Sequence, residues 1–171
     1  MLMHTRAYYH KLRAVYTPRR PKLVIIAESP PASGKYFYDL TGRVTEPLLR
    51  AVMRDILGIS PDSKEEGLTK FARAGFLLVD ATYTPVNKSF APKERNAKIL
   101  KDYPLLVKDL KRLLPKRNTR ILLIKANICR LLDTRLQADG FNVINRGVVV
   151  PFPAYGQQVR FREAVKALLG T

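Results

Sequence analysis

Two carboxylates at the ends of apolar runs carry the chemistry this chain could perform. In Leu23-Val24-Ile25-Ile26-Ala27-Glu28-Ser29-Pro30-Pro31, five apolar residues run straight into an acid and two prolines. The apolar run reads as a fully buried strand. Proline cannot continue a ladder, so the chain must leave the sheet there. Glu28 is therefore expected at the carboxyl edge of a central strand, where open α/β sheets bind their ligands. Asp80 lies near the end of a second such run, Phe76 to Ala81. A carboxylate in that position can stabilise a developing cation, or orient and deprotonate water.

Four segments have the composition of buried strands: Leu23 to Ala27, Phe76 to Ala81, Arg120 to Ile124, and Val148 to Phe152 with a companion at Phe141 to Ile144. Helical spacing is found between and after them. Val44 to Leu57 places Leu48, Leu49, Val52, Met53 and Ile56 on one face, and Pro104 to Leu114 starts with a proline suited to a first helical turn. Ile128 to Leu136 and Gln158 to Leu169 complete the set, and residues 1–22 form a basic N-terminal arm with a short amphipathic helix around Tyr8, Leu12, Val15 and Tyr16. Alternation of strand and helix predicts a three-layer α/β/α sandwich on a mainly parallel four-stranded sheet. Residues 1–171 are read as a single domain. In a parallel sheet the exits at Glu28, Asp80, Lys125 with Asn127, and Pro151-Phe152-Pro153 share one edge.

Charge narrows the partner. The 171 residues hold 31 Lys and Arg against 14 Asp and Glu, a net charge of +17. Such an excess favours polyanions, nucleic acid first. No run approaches the roughly 18 apolar residues of a membrane span, and the N-terminus lacks the apolar centre of a secretory signal. The chain is thus expected inside the cell, in cytoplasm or nucleoid. Cys129 is the only cysteine, which excludes internal disulfides, thiolate zinc sites and Cys-ligated iron–sulfur clusters.

Other motifs are set aside on their own chemistry. Ser29 to Tyr36 ends in Gly34-Lys35 after a strand, but a phosphate loop needs Gly where Ser29 stands and Ser or Thr where Tyr36 stands. His4 and His10 lack metal spacing and are expected on the surface. Lys93 to Arg117, with nine basic and three acidic residues, is expected to be a solvated helical face outside the site.

Taken together, the exits resemble the uracil-DNA glycosylase superfamily. Ala27-Glu28-Ser29-Pro30-Pro31 stands where members carry a first-strand motif of the form G-E-A-P-G or G-Q-D-P-Y. Gly34-Lys35-Tyr36-Phe37 is similar to the Gly-x-Pro-Phe segment whose Phe stacks on an extruded base. Gly42 and Leu48-Leu49 match the start of the next family helix, and Leu77 to Thr82 occupies the strand that ends in a base-reading Asn. Phe152-Pro153-Ala154-Tyr155-Gly156-Gln157 stands where the family has His-Pro-Ser and a minor-groove loop. The likeness spans about Leu23 to Leu169. Asp80 departs from the base-reading Asn, since an ionised carboxylate only accepts hydrogen bonds. Phe152 departs from the His that contacts the leaving base, and the cluster cysteines of the G-E-A-P-G branch are absent.

The resemblance implies a DNA glycosylase of base excision repair. It would flip uracil, or a related deaminated base, out of DNA and hydrolyse its N-glycosidic bond, as a monomer without metal or diffusible cofactor. Glu28 and Asp80 are the catalytic candidates. Either they share a proton that leaves Asp80 neutral, or Asp80 activates water while Glu28 is a structural acceptor. Phe37 is the expected stacking platform, with Tyr36 and Tyr38 as substitutes, and Ser29, Pro30 and Phe152 complete the base site. Lys88, Gly156, Gln157, Arg160 and Arg162 are expected to contact DNA. The alternatives are a non-catalytic nucleic-acid-binding protein on the same scaffold, and a glycosylase for hypoxanthine or nucleotides.

Overall fold

The computed structural model describes residues 4–87 and 90–171. Four parallel strands form the sheet: β1 (Leu23–Ala27), β2 (Phe76–Asp80), β3 (Arg120–Leu123) and β4 (Asn142–Val143), in the order β2-β1-β3-β4. Among the described residues six α-helices surround it: α1 (Arg6–Ala14), α2 (Pro47–Ala51), α3 (Lys64–Arg73), α4 (Pro92–Leu113), α5 (Ala126–Ala138) and α6 (Gln158–Leu169). The architecture is the expected three-layer α/β/α sandwich. One outer layer pairs α4 with α5; the other is built around a π-helical stretch, Val52–Leu57, that extends α2 and contacts α3 and α6.

Every residue of β1 is buried, as its unbroken apolar run requires of a strand flanked on both sides. β2 is an edge strand, and Tyr38 closes its free side. The Tyr38 hydroxyl donates to the Leu78 carbonyl at 3.0 Å and accepts from the Leu78 N–H at 2.8 Å. An unpaired edge would otherwise expose both groups.

The fourth strand is the companion segment, and Val148 to Phe152 forms no strand. Asn145 explains the exchange. Its buried side chain accepts from the Leu123 N–H at 2.7 Å and donates to the Leu123 carbonyl at 3.0 Å, so an amide replaces the backbone that would have extended the ladder. Arg146 and Gly147 then adopt positive φ and turn the chain outward, leaving Val148 and Val149 exposed. The Lys125 N–H still reaches the Val150 carbonyl at 2.8 Å, which returns the following loop to the strand-exit edge.

Three helices differ from expectation. Pro104 lies inside α4, which begins one residue after Ala91, with Pro92 in the first turn and Glu94 accepting from the Ala91 N–H at 3.1 Å. α2 starts at Pro47 and not at Val44, because Pro47 supplies the preset first-turn φ. α3 has a legible start in Ser63, whose hydroxyl accepts from the Glu66 N–H at 3.1 Å.

α1 packs against the rest of the chain through Tyr9 and Arg13. Arg13 is 1 % exposed, donates to both Asp109 oxygens at 2.7 and 2.9 Å, and donates to the Tyr83 hydroxyl at 2.7 Å. His10 joins this cluster, edge-on to Tyr83 with ring centroids 4.7 Å apart, and is not the surface residue expected. Burial, reinforced by Arg13, lowers its pKa to about 4. His4 is exposed and stacks on Tyr8.

Candidate functional site

The ends of β1, β2 and β3 lie side by side, and Ala27 pairs with Asp80 in register. Side chains alternate between faces along a strand. Asp80 therefore shares a face with Ala27, while Glu28, one residue further on, leaves from the other. Phe37 and Asp80 line one hollow, and Glu28 does not line it.

Asp80 and Phe37 line a pocket of about 360 Å³, together with Ser29, Pro30, Tyr36, Leu49, Asn87 and Tyr155. That volume falls in the range of small-ligand sites. Phe37 forms one wall and is held edge-to-face by Tyr38 and Phe71, with centroids 5.0 and 5.5 Å away. Tyr38 itself is committed to β2 through its hydroxyl, so it is not a substitute platform. Two loops shape the rim. The Val86 N–H donates to the Ser29 hydroxyl at 3.3 Å, and the Ala32 N–H donates to the Asn87 side chain at 2.8 Å.

Asp80 is 3 % exposed, and its Oδ2 makes no hydrogen bond among the described residues. Burial without a paired donor raises its pKa to about 8, against the pull of Arg13 and with a push from Glu28. The carboxyl is uncharged at neutral pH, and desolvation is the main cause; Glu28 contributes only as a nearby like charge. Of the two roles expected for Asp80, a pKa raised by burial suits the protonated donor. The Tyr36 hydroxyl is likewise buried with no hydrogen bond among the described residues.

Glu28 belongs to a second, polar cluster on the α4–α5 side. Lys125 Nζ donates to its Oε1 at 2.5 Å, Asn127 Nδ2 donates to its Oε2 at 2.6 Å, and Arg95 Nε lies 3.9 Å from Oε2. Arg95 comes from the segment expected to be a solvated face outside the site, and it is instead half-buried against this cluster. Lys125 has a φ of +84°, a conformation that side chains other than glycine adopt only under strain. Its sequence signal is weak, because Ile124-Lys125-Ala126 reads as an ordinary strand end. Asn127 Oδ1 and Arg95 Nε are buried and make no hydrogen bond among the described residues.

Phe152 is half-buried and does not line the Asp80 pocket. It borders a neighbouring open hollow with Lys125, Gln157 and Arg160. Tyr155 lines both hollows and is 98 % exposed. Tyr155 and Gly156 both have positive φ, so the loop carries this ring at its tip. An exposed aromatic between Ala154 and Gly156 was the signal available in the sequence. Arg160 is exposed on the same side, whereas Arg162 Nε donates to Asp55 at 3.1 Å and is turned toward the π-helical stretch. Lys88 lies outside the described residues.

No protein-family model matches the chain, and no curated protein matches it. No helix among the described residues is long and apolar enough to cross a membrane. No group of three or more His, Cys, Asp or Glu among them could hold a metal ion.

Proposed function

We propose that the chain is a DNA glycosylase of the uracil-DNA glycosylase type, which extrudes a deaminated base, uracil first, and hydrolyses its N-glycosidic bond. The observation that carries this reading is the pocket itself. An aromatic wall at Phe37 faces a buried polar group at Asp80, with an exposed Tyr155 on the rim. An extruded base needs a π-face to stack on and polar groups to read its edge. Tyr155, exposed on the rim, would fill the gap left in the stack.

The Glu28 cluster acts on the sugar side in this scheme. Breaking the glycosidic bond leaves an oxocarbenium-like sugar and an electron-rich base, and Glu28, outside the pocket and held by Lys125 and Asn127, is the carboxylate this reading assigns to oppose the sugar's charge. Lys125, Arg95 and Arg160 supply positive charge for the flanking phosphates. The net charge of +17 supports a DNA substrate.

A second reading has its own supporting observation. Both Glu28 oxygens are already engaged, by Lys125 and Asn127, which suits a scaffold that binds nucleic acid without cleaving it. Incubation with single- and double-stranded oligonucleotides containing uracil or hypoxanthine, followed by alkali, separates the two. Strand scission at uracil is expected. Retention of intact oligonucleotide in a stable complex would favour the binding protein, and scission at hypoxanthine alone would move the substrate to purines.

A further inference from the structure

We infer that Asp80, in its uncharged form, is the acid that protonates the departing base. The inference rests on the glycosylase reading and assigns a step which that reading leaves open. Asp80 and Tyr36 both line the pocket, and Asp80 Oδ2 and the Tyr36 hydroxyl are buried and make no hydrogen bond among the described residues. Unpaired buried polar groups are costly, and a ligand that satisfies them recovers that cost. A carboxylic acid presents one donor and one acceptor side by side. That pair matches a ring N–H beside a carbonyl, the edge of a pyrimidine or purine lactam.

The surroundings keep the proton on Asp80. Among the described residues Arg13 from α1 is the cation that acts on it appreciably, and its guanidinium is already committed to Asp109 and Tyr83; Lys35 and Glu46 also line the pocket. The remaining titratable groups that interact with Asp80 are Glu28 at the β1 exit, Tyr9 from α1, Tyr36 and Tyr38 from the loop after β1, and Tyr83 after β2. All are anionic or neutral. Burial lifts the Asp80 pKa to about 8, the range of a working general acid near neutrality.

In the step, the bond between C1′ and the ring nitrogen breaks and its electron pair goes to the base. The Asp80 hydroxyl proton passes to a base carbonyl oxygen, so the base leaves neutral and Asp80 is left as a carboxylate. Water adds to C1′ and releases a proton to solvent, and Asp80 takes up a proton from solvent once the base has gone. Phe152, which stands where the related enzymes hold a His, has no proton to offer.

The test is single-turnover base release from an oligonucleotide containing deoxyuridine, from about pH 6 to about pH 9, with wild type and Asp80→Asn. Wild-type release is expected to fall about tenfold per pH unit above pH ~8, and Asp80→Asn to lose roughly 10²–10⁴-fold at neutral pH and to show no such fall. At about pH 6.5 the Asp80→Asn loss should shrink on 5-fluorodeoxyuridine, whose base leaves more readily without a proton. Wild-type release that stays level or rises through pH ~8 to ~9 would overturn the acid role and leave the glycosylase reading intact. Equal rates for wild type and variant would do the same. Absence of release from both substrates would remove the glycosylase reading, and this inference with it.

Discussion

Lys125 Nζ lies 2.5 Å from Glu28 Oε1, an ion pair between the exits of two adjacent parallel strands. The lysine reaches it from a backbone at φ +84°, a position that costs about 1–3 kcal/mol. Strain of this kind persists where the surrounding structure enforces it, and here it holds the lysine against the Glu28 carboxylate. Glu28→Gln is expected to lower base release on the order of 10²–10⁴-fold. Adding Lys125→Met to that variant should cost little more, because the pair acts as a unit. Single-turnover rates for the two single variants and the double variant measure the coupling.

Tyr155 is 98 % exposed, so Tyr155→Ala should leave thermal stability within about 0.5 kcal/mol of wild type. Its cost should appear in turnover. Base release from duplex DNA is expected to fall more than release from single strands, which have no stack to hold open. Equal losses on both substrates would assign the ring to general binding and not to base extrusion.

Arg160 and Arg162 sit two residues apart on α6 and are expected to behave differently. Arg160 is exposed beside the Tyr155 hollow, so Arg160→Gln should weaken DNA binding and reduce the salt slope by about 1. Arg162 is tied to Asp55, so Arg162→Gln should lower stability while leaving the salt slope unchanged. Affinity titrations at several salt concentrations, paired with urea unfolding, check both.

Stability should depend on pH through Asp80 and His10 with opposite signs. The folded Asp80 pKa is raised to about 8 from 3.8, so its unfolded form ionises first and stability falls as pH rises between those values. The folded His10 pKa is lowered to about 4 from 6.5, so its contribution is complete above 6.5 and is lost as pH falls toward 4. Of the two, only Asp80 acts between about 6.5 and about 8. Urea unfolding in that window should show declining stability for wild type and a flat profile for Asp80→Asn.

Much of the fold was legible because the central strands are short apolar runs with hard stops. Ala27-Glu28 before two prolines, and Asp80 before a turn, are statements about backbone chemistry that no tertiary contact overrides. β4 was legible only as the lesser of two candidates. The valines at 148–150 have the stronger strand composition, but a side-chain amide at Asn145 takes their place on β3. The face from which each carboxylate leaves also depends on register, which pairs Ala27 with Asp80 and separates Glu28 from the pocket. Arg95 was hidden in a charge run whose other members are mostly solvated. Periodicity in that run marks which residues share a face, but not how far a long side chain reaches beneath a neighbouring strand end.

The most direct measurement is the amount of free base released with time from uracil-containing DNA, resolved by mass, for wild type beside Glu28→Gln. Stoichiometric appearance of free uracil with wild type, slowed in the variant, is the expected result. Tight DNA binding with no free uracil or hypoxanthine from either protein would contradict the account.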